Sequence, residues 1–434
     1  MKKIIIFGFI ILCLNLMGEE LTLDTAWTKV LTSNLQVRSE ELTIKSKGAD
    51  VKLALNNMLP SGSASGSYSR SGDELESDKM GFHISVSQPV FQGGKLYLDY
   101  QDARKTQQQA EKSYQALLLS LRMQLEDKYY AALEKQENLQ IAHQEIDYAQ
   151  SNLEAAQIRF DNGNISSGEL LQLRSQAAQQ EVTILKAENS LRIALNDLGN
   201  FLAVKENIDL IPVSLADYQE IILELGNWQI SSLEAREIDL IEYARTNNPE
   251  FLLNKLGVDI SGDGVKSAKA NFLPSISMSL SKSWNYSDWD AAPDGSWSLG
   301  LSASLPVFSI VDNYLNYAKA QYSLTQTELS LDQKELDLEL SIKSALLNLV
   351  ATVQELKAVE IAREYAEESY QAAEERFRNN MITANELLNT QIALRTAESA
   401  LTSATYAFLG YKGELQANLG ILDEAEFWQL LINP

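Results

Sequence analysis

The side chains that most often catalyse reactions or bind metals are scarce in this 434-residue chain, which has two histidines and one cysteine. His83 lies in a segment of alternating apolar and polar residues, whereas His143 lies in a helical segment. They therefore do not form a pair with metal-ligand spacing. We identify neither a glycine-rich phosphate loop nor a nucleophile paired with a base. The sequence predicts no enzyme activity, no metal and no cofactor.

Two glutamates have matched spacing, in Ser166-x-x-Glu169 and Thr383-x-x-Glu386. This is the spacing of a capping box, in which a hydroxyl and a carboxylate accept hydrogen bonds from free backbone N–H groups at the start of a helix. Capping alone explains the spacing, so it is the interpretation that these residues favour.

The first 18 residues have the pattern of a secretory signal peptide. Lys2 and Lys3 precede an apolar stretch, residues 4–16, and Gly18 is a small residue at a plausible cleavage point. The stretch is short for the alternative, an uncleaved membrane anchor. Cys13 lies within it, so the mature chain has no cysteine for a disulfide, a thiol nucleophile or a metal site. Cleavage changes the net charge from −23 to −25, and such an acidic chain repels nucleic acid.

The chain contains an internal duplication. Three motifs recur at one offset of 217 residues: Gln88–Phe91 as Leu305–Phe308, Arg159–Phe160 as Arg376–Phe377, and Glu169–Leu171 as Glu386–Leu388. We therefore divide the mature chain into a first repeat (19–202), a joining segment (203–238), a second repeat (239–419) and a C-terminal segment (420–434).

Each repeat has the same predicted order of elements. A helix (22–58 and 239–272) precedes two strands, which are followed by two long helices with a tight turn between them. In the long helices, apolar residues recur every seven positions, at Leu118, Leu125, Ala132, Leu139, Ile146, Leu153 and Phe160. A sustained seven-residue period predicts a left-handed coiled coil. At 1.5 Å per residue, segment 92–160 is about 100 Å long, which is more than an ordinary helical bundle needs.

The four predicted strands (about 61–70, 81–90, 275–286 and 297–307) alternate between apolar and small polar residues, mostly serine. Their length of about ten residues suits a tilted strand that crosses a bilayer. Aromatic residues near the strand ends, at Trp284, Tyr286, Trp289 and Trp297, are typical of a membrane-interface girdle. The alternative is a soluble hairpin packed on a core. Four strands are too few to close a membrane barrel, so several copies would have to share one. The links Ser71–Lys79 and Ser287–Ser296 would then be surface loops.

The complete order of elements resembles the TolC-like outer-membrane factor family. Leu-Pro-Ser precedes the first strand of each repeat, Pro-Val-Phe follows the second, and Arg-Phe and Glu-Leu-Leu flank the helical turns. The resemblance implies a mainly α fold with a membrane β-barrel portion, in which three protomers share a 12-stranded barrel continued by a coiled-coil α-helical tunnel in the periplasm. It also implies an exit duct of a tripartite efflux pump or type I secretion system, with a periplasmic adaptor (membrane fusion) protein and an inner-membrane transporter as partners.

The resemblance assigns roles to the two turns. The adaptor-docking tip would comprise Phe160, Asp161, Asn162, Gly163, Phe377, Arg378, Asn379 and Asn380, whereas the alternative is a pair of plain interhelical turns. The tunnel mouth would be constricted at Glu169, Gln172, Glu386 and Asn389. The family's further acidic positions are Gln172 and Asn389 here, and this departure weakens the case for strong cation gating.

Two other functions are compatible with parts of the pattern. A structural or adhesive coiled-coil protein of the cell envelope would have the long helices but no barrel. A secreted enzyme on a helical scaffold would need a catalytic group, and the sequence does not indicate one.

Overall fold

The computed structural model describes residues 19–71, 77–204, 208–286 and 294–432. The predicted signal peptide and the middle parts of both predicted surface loops lie outside these residues. Among the described residues, no helix combines the length and the apolar character needed to cross a membrane.

The first repeat begins with a short strand and two helices, followed by two long strands and two long helices. These are β1 (Glu19–Leu21), α1 (Leu23–Ser33), α2 (Leu35–Asn56), β2 (Ser61–Ser71), β3 (Ser77–Gln92), α3 (Lys95–Asp161) and α4 (Ser167–Leu202). The joining region contains β4 (Ile208–Leu210), a 3-10 turn (Leu215–Tyr218) and α5 (Gln219–Leu225).

The second repeat has the same order. Its elements are α6 (Ile230–Asn247), α7 (Pro249–Ala270), β5 (Ser275–Tyr286), β6 (Asp294–Ser304), α8 (Ile310–Arg378) and α9 (Ala384–Leu419), and α10 (Glu424–Ile432) follows it. The helix that we placed at 239–272 is thus two helices, and the first of them begins at Ile230, inside the segment that we treated as a linker.

Local chemistry explains why the predicted single helix before the strands is two helices in each repeat. Asn34 has extended backbone angles, and its side-chain oxygen accepts a hydrogen bond from the N–H of Gln36 at 2.8 Å, which caps the start of α2. In the second repeat the break falls before Pro249, because proline has no N–H to donate and disfavours a helical conformation at Asn248.

The long strands form one antiparallel sheet in the order β2-β3-β5-β6. A register shift between Pro89 and Phe91 marks a β-bulge in β3, where proline cannot donate a ladder hydrogen bond. β6 ends at Ser304, three residues earlier than predicted, just before Leu305 and Pro306. In this sheet β2 and β6 are the outer strands, and each has one neighbour among the described strands.

Serines cover one face of this sheet and bond to each other across strands. Hydroxyl pairs lie 2.9 Å apart at Ser63–Ser85, 2.9 Å at Ser277–Ser302 and 2.8 Å at Ser281–Ser298. His83 belongs to the same face, with Nδ1 2.9 Å from the hydroxyl of Ser283. This histidine is therefore a member of a polar surface on which most side chains are serine hydroxyl groups.

The chain divides into two compact units. Of the described residues, the first comprises 19–37, 117–204, 208–248 and 338–432, and the second comprises 38–71, 77–116, 249–286 and 294–337. In the second unit the buried carboxylate of Asp263 forms ion pairs with Lys105 on α3 and, at 2.8 Å, with Lys266 on its own helix. Helix α7 continues through the Gly262-Asp263-Gly264 sequence.

The first unit holds the tight helical packing. Leu125 and Ala132 of the predicted apolar row are fully buried. Further along α3 that row, at Leu139, Ile146 and Leu153, is only half-buried. The buried side chains there are alanines at 142, 149 and 156 and the polar residues Glu145, Asn152 and Arg159. The seven-residue period is present, but a different face of the helix packs against its neighbours within the chain.

Candidate functional site

The two turns between the long helices have the same backbone geometry. In the first, the N–H of Gly163 donates to Phe160 O at 2.9 Å and that of Asn164 donates to Arg159 O at 2.8 Å. The second turn has both bonds at the equivalent positions of its repeat. These bonds define a Schellman motif, which needs a left-handed residue after the helix. Gly163 has φ +73° and Asn380 has φ +61°.

Each turn ends in a complete capping box. Glu169 Oε2 accepts from the N–H of Ser166 at 2.9 Å, while the Ser166 hydroxyl accepts from the N–H of Glu169 at 3.2 Å. The corresponding distances for Thr383 and Glu386 are 2.8 and 3.3 Å. Hydrogen bonds from the backbone N–H of Ser166 and Thr383 lower the pKa values of Glu169 and Glu386 below the usual range. Both glutamates are therefore charged at neutral pH while they cap the helices.

The starts of α4 and α9 lie next to each other. Gln172 Nε2 donates to Asn385 Oδ1 at 2.6 Å. The predicted aperture residue Gln172 therefore contacts the residue that precedes Glu386, a second predicted aperture residue. Asn389 and Glu386 are exposed, whereas Glu169 is half-buried. We did not single out Asn385 from the sequence, because its counterpart in the first repeat is Gly168, which has no side chain to compare.

Arg159 is buried against an aromatic ring of the other repeat. Its side chain is 8% exposed, and its guanidinium carbon lies 4.1 Å from the ring centroid of Phe377. Burial lowers the pKa of Arg159 from its usual value. Its Nε and Nη1 atoms have no hydrogen-bond partner among the described residues. This arginine is the most unusual charged group at the turns.

A groove of about 350 Å³ lies beside this arginine in the first unit. It is lined by Ser151, Glu154, Ala155, Ile158, Arg159 and Arg378. Ile158 is 57% exposed, and Arg378 Nη2 is 2.6 Å from Glu374 Oε1. The groove thus combines an exposed apolar side chain with two guanidinium groups. Of the predicted tip residues, Arg378 lines it directly, whereas Phe377 lies beneath Arg159.

A buried polar layer crosses the helices of the first unit. Glu145 Oε2 accepts from Gln391 Nε2 at 3.2 Å and from Gln180 Nε2 at 3.5 Å. Asn152 Nδ2 donates to Gln391 Oε1 at 3.3 Å and to the Tyr370 hydroxyl at 3.2 Å. Burial raises the pKa of Glu145 to about 7. The sequence analysis missed this layer, although the spacing of seven between Glu145 and Asn152 on a coiled-coil helix was visible.

The described residues contain no group of three or more His, Cys, Asp or Glu side chains arranged to hold a metal ion. The turns carry exposed charged and apolar side chains, among them Arg378, Ile158 and Glu386.

Known proteins resemble this chain across both repeats. The sequence pattern of the outer membrane efflux protein family matches residues 27–204 and 240–420. The outer membrane protein TolC of Vibrio cholerae is 21% identical over 358 residues, which cover 81% of this chain and 79% of TolC. The alkaline protease secretion protein AprF of Pseudomonas aeruginosa is 22% identical, with coverages of 79% and 70%. The outer membrane efflux protein BepC of Brucella suis is 21% identical, with coverages of 94% and 88%.

Solved structures show the same fold. CusC, a transmembrane channel, superposes with a TM-score of 0.82 at 18% identity and covers 93% of each chain. The outer membrane protein VceC of Vibrio cholerae gives 0.77 at 15% identity, with coverages of 92% and 96%. The outer membrane channel CmeC of Campylobacter jejuni gives 0.76 at 16% identity, with coverages of 94% and 89%.

These matches confirm the resemblance that we inferred from the sequence motifs, and the proteins matched are channels rather than enzymes. The chain therefore belongs to the outer membrane efflux protein family and is an outer-membrane exit duct of the efflux and secretion type.

Proposed function

We propose that three copies of this chain share one membrane barrel and form a passive duct, which receives substrates from a periplasmic adaptor and an inner-membrane transporter. The observation that carries the proposal is the four-stranded sheet, whose outer strands β2 and β6 each have one free edge among the described strands. Free N–H and C=O groups are not tolerated in lipid, and a membrane barrel needs at least about eight strands. Pairing of β6 with β2 of the next copy satisfies both requirements, and three copies supply 12 strands.

The two faces of the sheet support this arrangement. Large apolar side chains on the face opposite the serines are well exposed, including Leu280 at 49%, Trp297 at 71%, Leu299 at 62% and Leu301 at 73%. A water-soluble protein seldom leaves such a continuous apolar surface uncovered. Lipid covers it in the proposed barrel, while the serine face lines the water-filled interior.

Helix α8 provides a second contact surface between copies. Leu315, Tyr322, Leu329 and Leu336 recur every seven residues and are 59%, 71%, 63% and 61% exposed. Apolar residues at this spacing pack into the grooves of a neighbouring helix in a coiled coil. Since nothing in the described chain covers them, we assign the neighbouring helix to another copy.

The helical turns serve as the adaptor-docking tip in this proposal. The groove beside Arg159 presents Ile158 for apolar contact, and the exposed guanidinium group of Arg378 suits carboxylate or carbonyl acceptors on a partner hairpin. The predicted tip residues Asp161, Asn162 and Asn379 follow Arg159 or Arg378 within three positions of the chain.

The same turns place charge at the proposed tunnel mouth. Three copies would bring together six carboxylates from Glu169 and Glu386, and the lowered pKa of each keeps it ionised. Such a ring attracts cations and resists anions. Gln172 and Asn389 add polar but uncharged groups, so the selectivity is modest. Both glutamates keep their capping role in this arrangement.

The duct does no chemical work. The energy for transport comes from the partner pump. Engagement of the tip moves the hairpins formed by α3–α4 and α8–α9 apart, and the substrate passes through the periplasm and the outer membrane in one step. The partner pump, rather than this chain, selects the substrate.

Planar-bilayer conductance of the purified full-length protein tests the proposal. We expect an oligomer of three copies that resists dissociation in mild detergent and produces discrete channel openings. A monomer that stays in aqueous buffer and produces no conductance would contradict the proposal and would favour a structural coiled-coil protein of the envelope.

A further inference from the structure

One lysine interrupts the apolar face of the sheet. Residues paired directly across antiparallel strands share a face, and the register puts Lys282 in a row with Ile84 and Trp297. Among the strand residues whose side chains the structure describes, the other charged residue on this face is Arg70, beside the β2–β3 connection. Lys282 forms no ion pair with a carboxylate of the described residues. A charge on a lipid-facing surface is costly unless it reaches water or an opposite charge.

The ammonium group of this lysine extends towards the β5–β6 connection. Lys282 Nζ lies 5.6 Å from the ring centroid of Trp284, which is one row closer to that connection. Gly295 pairs with Trp284, and a Cβ atom at this glycine would lie 3.3 Å from the same Nζ. The missing side chain therefore leaves a recess, bordered by an indole ring, into which the ammonium group fits.

The position and chemistry of this recess define the ligand that it suits. In the proposed barrel the helices begin at the periplasmic ends of the strands, so the β5–β6 connection lies at the cell surface. Indole rings favour the boundary between acyl chains and headgroups. An ammonium group at that boundary forms charge-assisted hydrogen bonds with phosphate oxygens, whereas an uncharged headgroup offers a much weaker partner.

We propose that Lys282, together with Trp284 and the recess at Gly295, binds the phosphate of an anionic lipid in the outer leaflet of the outer membrane. Each copy in the assembly would carry one such site on its outer surface. The inference rests on the proposed function, because it requires the apolar face to meet lipid and the β5–β6 connection to lie outside the cell.

Binding of phosphorylated and phosphate-free lipid A to the full-length assembly tests this site. Native mass spectrometry of the detergent-purified protein would count bound lipids during a titration with each form. We expect the wild-type assembly to prefer the phosphorylated form. Lys282→Gln should reduce that affinity about fivefold, as expected for the loss of one positive charge near a lipid phosphate. Lys282→Arg, which keeps the charge, should retain the preference.

Lys79 provides a matched control on the other face of the same sheet. It pairs with Ser69, is exposed, and carries the same charge. Lys79→Gln should leave lipid binding unchanged. An equal loss in both glutamine variants would mean that total charge, and not this recess, attracts the lipid, and it would overturn the proposal.

Two further outcomes would also overturn it. If Lys282→Gln binds phosphorylated lipid as well as the wild type does, the lysine only extends its ammonium group to water. If millimolar inorganic phosphate displaces the lipid from the wild type but not from Lys282→Gln, the site is one for soluble phosphate.

Conductance recorded on the same samples distinguishes failure of the lipid site from failure of the proposed function. Channels that conduct without the lipid preference contradict only this site, whereas absence of assembly and conductance contradicts the proposed function.

Discussion

The two helical turns carry the same Arg-Phe pair and bury opposite members of it. In the first repeat Arg159 is 8% exposed and Phe160 is 38% exposed. In the second repeat Phe377 is fully buried and Arg376 is exposed. Both turns nevertheless have the same Schellman hydrogen bonds and the same capping boxes. Local sequence thus determines the backbone of each turn, but it does not determine which side chain is buried.

The difference has a geometric cause. The end of α8 packs Phe377 into an apolar cluster with Leu173, Ala384 and Leu387. The end of α3 meets the same cluster from another side and covers Phe377 with the guanidinium group of Arg159. Two duplicated helices that share one core cannot both insert the same residue into it. Duplication therefore provided two copies of a turn, and packing of one against the other made them different.

The largest expected effect concerns the aromatic residues. Phe377→Ala should lower the free energy of unfolding of the assembly by about 3–5 kcal/mol, because it empties a fully buried site. Phe160→Ala should cost less than about 1 kcal/mol, since that ring is partly exposed. Thermal denaturation in detergent, followed by circular dichroism, measures both. Equal losses would show that Phe160 is buried in the assembly and that the two turns are more alike than the single chain indicates.

A second prediction concerns a group that has no counterpart in the other repeat. Glu145 of the buried layer corresponds to Ala362 at the offset of 217. The pKa of Glu145 is raised from 4.5 to about 7 by burial, and Glu398 raises it further while Arg395 and Gln391 act against it. The folded state therefore holds this proton more tightly than the unfolded state does. The resulting stability is complete below pH 4.5 and is lost as the pH rises through about 7.

Glu145→Gln removes this titration and keeps the amide contacts of the layer. We expect the variant to exceed the wild type in stability by about 1–3 kcal/mol at pH 8 and by little at pH 5. Melting temperatures at several pH values measure the difference. A constant difference across the pH range would mean that Glu145 does not titrate in the folded protein.

The capping boxes and the left-handed residue of the first turn could be predicted from the sequence, but the buried polar layer could not. Ser166 and Glu169 have the capping spacing, and Gly163 lies where a left-handed residue is needed, because these interactions join residues a few positions apart. Glu145 contacts Gln391, which is 246 residues away, and no local pattern indicates such a pairing. The seven-residue period predicted the long helices, but the apolar row that carries it is only half-buried at Leu139, Ile146 and Leu153. The period gives the spacing of apolar residues along one face of a helix, whereas the positions of the neighbouring helices determine which face is buried.

A third prediction separates stability from binding at Arg159. Replacing a buried arginine with an apolar residue of similar length is often neutral, because it removes the cost of dehydrating the charge. Arg159→Met should therefore change the free energy of unfolding by less than about 1 kcal/mol. It should nevertheless weaken binding of the adaptor, which surface plasmon resonance can measure. Arg376→Met is the matched control and should affect neither quantity, while unchanged adaptor binding in Arg159→Met would remove the groove from the proposed docking tip.

The smallest effect is expected from exchanging the two left-handed residues. Asn380→Gly should stabilise the second turn by about 0.5 kcal/mol, because glycine adopts a positive φ without steric cost. Gly163→Asn should cost about the same amount, and no steric term is added because a Cβ atom there meets nothing within 4 Å. Denaturation of both variants measures the exchange. A larger loss in Gly163→Asn would indicate that a neighbouring copy lies against the first turn.

The free edges of β2 and β6 have a consequence for mixed populations of subunits. In the proposed ring of three copies every copy must pair on both sides, so one copy with a defective edge spoils the barrel for its two sound neighbours. If half of the subunits carried proline in the middle of β6, only about one ring in eight would consist of intact copies. Such an allele would act dominantly, because the fraction of intact rings, and with it export, falls more steeply than the fraction of intact subunits.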